Sequence, residues 1–176
     1  AMADQTTSWG TVTLADEPVE LIAAFAAWHA YLGAAEIHIF LDTPNDATAQ
    51  VLRAIPGVIV TQCDDAFWET HGPRHRMQTK RQDVVANIAY HATRVDWLVH
   101  MDADEFLHVS GAMQAALACA PDEIVGFRIP VKERVWRARR QPKGIFDGIF
   151  RCPYVGPLDI GDYLFGDLAT YMRRGV

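Results

Sequence analysis

The stretch "WLVHMDADEF" (residues 97–106) joins an apolar run, typical of a buried strand, to three carboxylates within four positions. Asp102, Asp104 and Glu105 would repel one another and resist desolvation if they were packed together without a counter-charge. A strand that ends in such a cluster predicts that a positive charge from outside the chain neutralises it.

Short apolar strands alternate with helices through the first hundred residues. Runs rich in β-branched side chains predict strands over residues 9–15, 36–42, 57–62 and 97–101. Apolar residues at helical spacing predict helices that begin near Pro18 and near Thr43-Pro44, and a longer helix over residues 79–93. A short Ala-rich helix before Pro121 and a strand over residues 123–130 complete the pattern. Such alternation predicts an α/β fold, a Rossmann-type sandwich with a mostly parallel central sheet flanked by helices.

Composition limits the class of protein. The 176 residues, half of them hydrophobic, suit a single domain over residues 1–176. A net charge of −6 disfavours general binding to nucleic acid or to anionic membranes. No apolar stretch is long enough for a transmembrane segment. Three widely spaced cysteines without a CxxC pattern indicate a reducing compartment, so we expect a cytoplasmic protein.

Acidic residues follow three of the predicted strands. Asp16 and Glu17 come after the first strand, Asp42 ends the second, and residues 102–105 follow the fourth. In a parallel sheet, ligands bind in the crevice at the carboxyl ends of the strands, where the loops converge. We therefore expect the three acidic stretches to face the same crevice.

The acidic turn carries oxygen ligands suited to a hard divalent cation. Alternate side chains of an extended stretch point the same way, so Asp102 and Asp104 can reach one point in space while Ala103 lets the backbone pass closely. Mg²⁺ and Mn²⁺ prefer such oxygens and take their remaining ligands from water and phosphate. The sequence thus predicts Mn²⁺ or Mg²⁺ at Asp102 and Asp104, bridging to a diphosphate.

Three segments together resemble a known family. The segments "ADEPVELIAAFAAWHAYLGAAEIHIFLD" (residues 15–42), "KRQDVVANIA" (residues 80–89) and "DWLVHMDADEFL" (residues 96–107) are similar to the glycosyltransferase family 2-like group, which has a GT-A fold. The resemblance covers residues 9 to about 131. A lone DxD motif is weak, whereas DxDEF at the end of an apolar strand, after a helix ending in WHAYLG, is more specific.

The resemblance implies an enzyme that moves a sugar from a nucleotide-diphosphate sugar to an acceptor hydroxyl, with a divalent metal at the DxD motif. It implies a UDP-sugar as donor and a glycan, lipid or protein as acceptor, and no nucleic-acid partner. Residues from about 9 to 110 would form the nucleotide-binding half of the domain. Residues 111–176 would form a shorter acceptor-side half.

The same resemblance assigns roles to individual residues. Asp104 would be the principal metal ligand, and Asp102 would share the metal or hold the ribose. Gln82 would lie near the donor, as would Arg81, whose guanidinium offsets phosphate charge. The residues expected to contact the nucleotide-sugar are Glu17, Asp42, Arg81 and Asp102.

The catalytic base has no recognisable motif. An enzyme that inverts the anomeric centre needs a carboxylate to take the acceptor proton. The family normally places this carboxylate well after the DxD motif, often with a metal-binding His later still. No His follows His108, so either those elements are absent or the sequence is a truncated domain. The candidate carboxylates, none with a motif around it, are Asp147, Asp159, Asp162 and Asp167.

Plainer interpretations compete with the binding roles. Asp16 and Glu17 can cap the following helix, and Asp42 can simply begin a turn. The basic stretches at residues 74–81 and 132–143 can be solvated faces. Trp68 and Trp136, in polar surroundings, are candidate sugar platforms.

Other functions are less well supported. An EF-hand is excluded because Leu107 occupies the position where that loop needs Gly, and a P-loop because its motif is missing. A phosphatase with an aspartyl nucleophile ranks second among enzymes, since such enzymes usually place their acidic motif after the first strand. A non-catalytic nucleotide-sugar- and metal-binding domain, or one module of a larger assembly, is the alternative from another class.

Overall fold

A computed structural model describes residues 7–109, 111–121, 123–136, 143–144 and 147–151. The elements within these ranges are, in chain order, β1 (Trp9–Ala15), α1 (Val19–Tyr31), β2 (Glu36–Leu41), α2 (Asp46–Arg53), β3 (Val58–Gln62), α3 (Asp65–His71), α4 (Gln78–Ala92), β4 (Trp97–His100), α5 (Met113–Ala118), β5 (Glu133–Val135) and β6 (Ile149–Arg151). The chain divides into two compact units, Ala1–Asp122 and Glu123–Val176.

The first unit is built on a four-stranded sheet in which every strand is parallel to its neighbours. The strand order is β3-β2-β1-β4. Residues 10–15 of β1 pair with β2, and residues 9–12 pair with β4 on the opposite edge. The chain thus runs outward from β1 to β3 and then returns to the far side of β1, where the strand order reverses. The predicted α/β fold, with a parallel sheet compatible with a Rossmann-like arrangement, is confirmed.

Helices cover both faces of this sheet. One core cluster joins α1, α2 and α5 to the sheet, and a second joins α3 and α4 to the opposite face. Strand β1 alternates between the two clusters, with Trp9 and Ala15 in the first and Val12 and Leu14 in the second. All seven residues of β1 are buried, as expected for a central parallel strand.

Two helix starts differ from the sequence prediction. Helix α2 begins at Asp46, because the Asn45 side chain accepts a hydrogen bond from the Thr48 N–H at 3.0 Å. The predicted cap at Thr43-Pro44 is therefore wrong by one or two residues. Helix α3 was not predicted at all, although Asp64 caps it by accepting the Phe67 N–H at 2.8 Å.

The second unit contains an antiparallel pair, β5 with β6. The strand predicted over residues 123–130 is wrong, because the structure has no strand there. Its apolar side chains include Val125 and Ile129, which are exposed. A β-branched run becomes a strand only where another strand pairs with it, and composition does not identify that partner. The prediction of one domain over residues 1–176 stays a prediction.

The close approach of β1 to β2 requires a glycine. Gly10 pairs with Glu36, and a Cβ at residue 10 would lie 2.5 Å from the Glu36 carbonyl oxygen. We expect Gly10→Ala to lower the free energy of unfolding by about 2 kcal/mol, because the two strands would have to move apart. Urea denaturation measures the change.

Gly111→Ala is the matched control for this substitution. No atom lies within 4 Å of a Cβ at residue 111, so the free energy of unfolding should change by less than about 0.5 kcal/mol. An equal loss in both variants would contradict the steric explanation.

Candidate functional site

The structure brings the predicted acidic stretches to one edge of the sheet. Because β1, β2 and β4 are parallel neighbours, the residues that follow them lie together at their carboxyl ends. Asp16 and Glu17 follow β1, Asp42 follows β2, and the acidic turn, residues 102–105, follows β4. The reversal of strand order falls between β1 and β4, where parallel α/β sheets place their ligand crevice.

The acidic turn directs two carboxylates outward. Ala103 is fully buried in the core cluster on the α1 face, whereas Asp102 and Asp104 on either side of it are exposed. The Asp102 N–H donates to the Glu105 carboxylate at 3.2 Å, and the Glu105 N–H donates to the Asp102 carbonyl oxygen at 3.1 Å. Glu105 therefore braces the turn, which leaves Asp102 and Asp104 as its outward-facing carboxylates.

A glutamine from α4 orients the first of these carboxylates. The Gln82 side-chain amide donates to Asp102 Oδ1 at 2.6 Å. A neutral donor fixes the carboxylate without cancelling its charge, and Oδ2 remains for another ligand. Gln82 thus contacts Asp102, and its expected place near the donor stays a prediction.

Asp42 is the most strongly bound carboxylate at this edge. It is buried, and its oxygens accept hydrogen bonds from Arg81 Nε at 3.0 and 3.1 Å and from an Arg81 terminal nitrogen at 2.5 Å. Arg74 adds a further bond at 2.9 Å. Burial alone raises the pKa of the Asp42 carboxyl, but the bonds and charges of Arg81 and Arg74 outweigh it and hold that pKa below its ordinary value.

Arg81 also organises the loop between α3 and α4, residues 72–77. Its other terminal nitrogen donates to the carbonyl oxygens of His75 at 2.8 Å and Arg76 at 3.1 Å. The predicted nucleotide-contacting residues Asp42 and Arg81 therefore contact each other. Arg74 was seen in the sequence only as one member of a basic stretch, and its bond to Asp42 shows that this loop is folded against the acidic edge.

Neither Asp16 nor Glu17 caps α1 through its side chain. The residue at the start of that helix is Pro18, with no side-chain cap hydrogen bond. Glu17 is half-buried, and its carboxylate accepts the Asp16 backbone N–H at 2.9 Å. The capping interpretation of this pair is therefore not supported, and the binding role of Glu17 stays a prediction.

Asp102 and Asp104 are not part of a larger ion-binding group within the described residues. Within the described residues, no group of three or more His, Cys, Asp or Glu side chains is arranged to hold an ion. A cation at Asp102 and Asp104 would thus take at most two protein carboxylates from this part of the chain. Two carboxylates would be too few for a structural zinc or calcium cage.

Several other candidates are corrected or stay untested. Trp68 is not a sugar platform, because it is buried and its indole N–H donates to the Cys63 carbonyl oxygen at 3.0 Å. Trp136 is exposed and remains a candidate. The Asp147 carboxylate accepts the backbone N–H groups of Lys143 at 3.0 Å and Gly148 at 2.9 Å. The three later candidates for the base, Asp159, Asp162 and Asp167, lie outside the described residues.

Comparisons with known proteins identify no relative of this chain, so its class is described from the fold and the acidic edge alone. No family model, curated protein or solved structure matches the chain significantly. Among the helices in the described ranges, none is long and apolar enough to cross a membrane. The structure defines an α/β protein with acidic residues at the carboxyl ends of its parallel strands.

The Asp42–Arg81 pair should be a major source of stability at this edge. We expect Asp42→Asn to lower the free energy of unfolding by about 2 kcal/mol at pH 7, because Arg81 would be left half-buried without its counter-charge. Arg74→Gln should cost less than about 1 kcal/mol, since the Arg74 side chain is half-exposed. Urea denaturation measures the loss in each variant. Equal losses would contradict the larger contribution expected from the Asp42–Arg81 pair.

The Asp42–Arg81 pair also determines how the free energy of unfolding changes with pH. Folding lowers the pKa of Asp42. The contribution of ionised Asp42 to the free energy of unfolding is therefore complete above about pH 5 and disappears as pH falls through the lowered pKa. The gap in unfolding free energy between wild type and Asp42→Asn should therefore narrow below about pH 4.

Proposed function

We propose that this chain is a metal-dependent glycosyltransferase with a GT-A-like fold, which transfers a sugar from a nucleotide-diphosphate sugar to an acceptor hydroxyl. One observation carries the proposal: Asp102 and Asp104 project from a braced turn at the end of β4, beside the reversal of strand order at β1. Ligands of parallel α/β sheets bind at such a reversal. The resemblance of the DxDEF region to the family 2-like group supports the same activity.

The charges at the site favour a cation and a diphosphate together over either alone. Asp102 and Asp104 would repel a diphosphate, and the described residues provide no ion pair to neutralise these two carboxylates. A bound Mn²⁺ or Mg²⁺ would supply charge stabilisation for the leaving diphosphate. The chain's own contribution is to brace the turn that carries both carboxylates and to orient Asp102, whose Oδ2 is not used by Gln82.

The neighbouring arginines supply a second positive element. Asp42 with Arg74 and Arg81 comprises one carboxylate and two guanidinium groups, so this cluster keeps one net positive charge. It lies at the carboxyl end of β2, next to β1. We propose that this excess charge faces the donor phosphates, that the nucleoside, uridine first, lies near Glu17 and Asp42, and that the acceptor is a hydroxyl of a glycan, lipid or protein.

The thiols favour a cytoplasmic location within this proposal. Cys63 and Cys119 are both free, and Cys119 is exposed. Burial raises the pKa of the Cys63 thiol to about 12, so this thiol stays protonated and unreactive. Exposed free thiols persist in a reducing compartment.

Calorimetry with UDP, with and without Mn²⁺, tests the proposal. Wild type should bind UDP in a Mn²⁺-dependent manner, and Asp104→Asn should weaken this binding by at least about 100-fold while circular dichroism shows a folded protein. Asp83→Asn is the matched control, because Asp83 is an exposed carboxylate whose ion-pair partner is Lys80. Equal affinity for UDP with and without Mn²⁺ would rule out the metal site.

Turnover then separates an enzyme from a binding domain. Release of UDP from a UDP-sugar, dependent on Mn²⁺ and lost in Asp104→Asn, is the result we expect. Tight, metal-dependent binding without any release or transfer from a panel of UDP-sugars would favour the non-catalytic alternative.

Gln82 should affect the affinity for the metal ion through Asp102, without contacting the ion itself. We expect Gln82→Leu to weaken Mn²⁺ binding in the presence of UDP by about 10-fold, because Asp102 would lose the donor that fixes its orientation. Asn87→Leu removes an amide from the same helix, where its side chain donates to the Asp83 carbonyl oxygen, and should leave the affinity unchanged. Titration calorimetry provides both values.

A further inference from the structure

Two consecutive side chains of α1 bind both backbone groups of Leu107, just beyond the acidic turn. The Trp28 indole N–H donates to the Leu107 carbonyl oxygen at 2.8 Å. The Leu107 N–H donates to His29 Nε2 at 3.3 Å. These bonds join residues 79 and 78 positions apart in the sequence.

The role of His29 in this contact requires one tautomer. His29 is fully buried, and its Nδ1 lies 2.8 Å from the Phe25 carbonyl oxygen, which can only accept. The Nδ1 therefore carries the proton and Nε2 is free to accept from Leu107. Burial lowers the pKa of His29 to about 4, in spite of the bond to Phe25, so the imidazole is neutral at physiological pH.

Packing restricts the same segment further. The Phe106 ring stacks on His29 at a centroid distance of 6.3 Å and meets Phe25 edge to face at 6.3 Å. Leu107 and Ala103 are both buried in the cluster that includes α1. The backbone on the carboxyl side of the acidic turn is thus held by hydrogen bonds and by packing.

The amino side of the turn is held from the opposite helical layer. Gln82 of α4 binds Asp102, and α4 packs on the other face of the sheet from α1. The turn therefore bridges the two layers. This matters because mutual repulsion among Asp102, Asp104 and Glu105 favours their separation, and a mobile turn would relieve it by spreading the carboxylates apart.

We propose that Trp28 and His29 are positioning residues, which hold the acidic turn in the geometry that presents Asp102 and Asp104 to a divalent cation. This inference rests on the proposed function, since the cation and the diphosphate belong to it. Ligand groups keep their affinity only when their orientation is fixed by the surrounding shell. Neither Trp28 nor His29 is required to touch the cation.

Trp28→Phe tests the inference, because it removes the indole N–H and keeps an aromatic ring at a partly exposed position. We expect Mn²⁺-dependent UDP binding to weaken by about 10-fold. Amide hydrogen exchange over residues 102–107 should become faster, while the unfolding midpoint should fall by less than about 5 °C. Tyr31→Phe is the control on the same helix, since Tyr31 is 80% exposed, and all three quantities should stay at wild-type values.

The outcomes separate this inference from the proposed function. Unchanged exchange over residues 102–107 in Trp28→Phe would overturn the positioning role, whatever the protein binds. Faster exchange with unchanged Mn²⁺-dependent affinity would overturn it as well, because the contact would then serve stability alone. A wild-type protein that binds no UDP with Mn²⁺ would instead overturn the proposed function, and with it any role of this contact in holding a cation.

Discussion

The position of β1 in the sheet is the constraint on which the remaining structure depends. Strand β1 is paired along both edges and covered on both faces, so none of its seven residues reaches solvent. The buried strand carries no ionisable side chain, and the charged residues are concentrated in the segments that follow it and its neighbours. The chain continues from β1 into α1 and from β4 towards α5 on the same face of the sheet, and the acidic residues lie where these two strands end.

Two groups of carboxylates at this edge have different partners. Asp42 receives its counter-charges from within the chain, through Arg81 and Arg74. Asp102 receives a neutral amide from Gln82 instead, and Asp104 has no ion-pair partner among the described residues. The first arrangement stabilises the fold at neutral pH. The second retains negative charge at a braced and exposed turn, which is unfavourable for stability alone and is consistent with a ligand that brings positive charge.

Local rules made much of this fold predictable from the sequence. Short apolar runs rich in β-branched residues located the four parallel strands, and helical spacing located α4 to within one residue at each end. Because parallel strands share one carboxyl edge, the acidic stretches could be expected to meet there. The caps of α2 and α3 were missed although Asn45 and Asp64 are typical capping residues, so a closer reading of capping signals would have found them.

The contacts between distant residues could not be predicted in this way. The bond between Arg74 and Asp42 joins positions 32 apart, and the bond between Trp28 and Leu107 joins positions 79 apart. The helical spacing of Trp28 relative to Phe25 and Leu32 favours core packing, yet Trp28 is 37% exposed and donates a hydrogen bond. The strand expected over residues 123–130 failed for a related reason, since pairing depends on a partner that composition does not reveal.

The neutral state of His29 gives the protein a built-in acid sensitivity. An unfolded chain takes up a proton at this imidazole near pH 6.5, whereas the folded protein resists it until about pH 4. Across that interval only the unfolded form gains the proton, and acidification therefore lowers the free energy of unfolding by about 1.4 kcal/mol per pH unit. Acidification from about pH 6.5 to about pH 4 would thus destabilise the fold through His29 before the Asp42 cluster, whose pKa is lower still, begins to titrate.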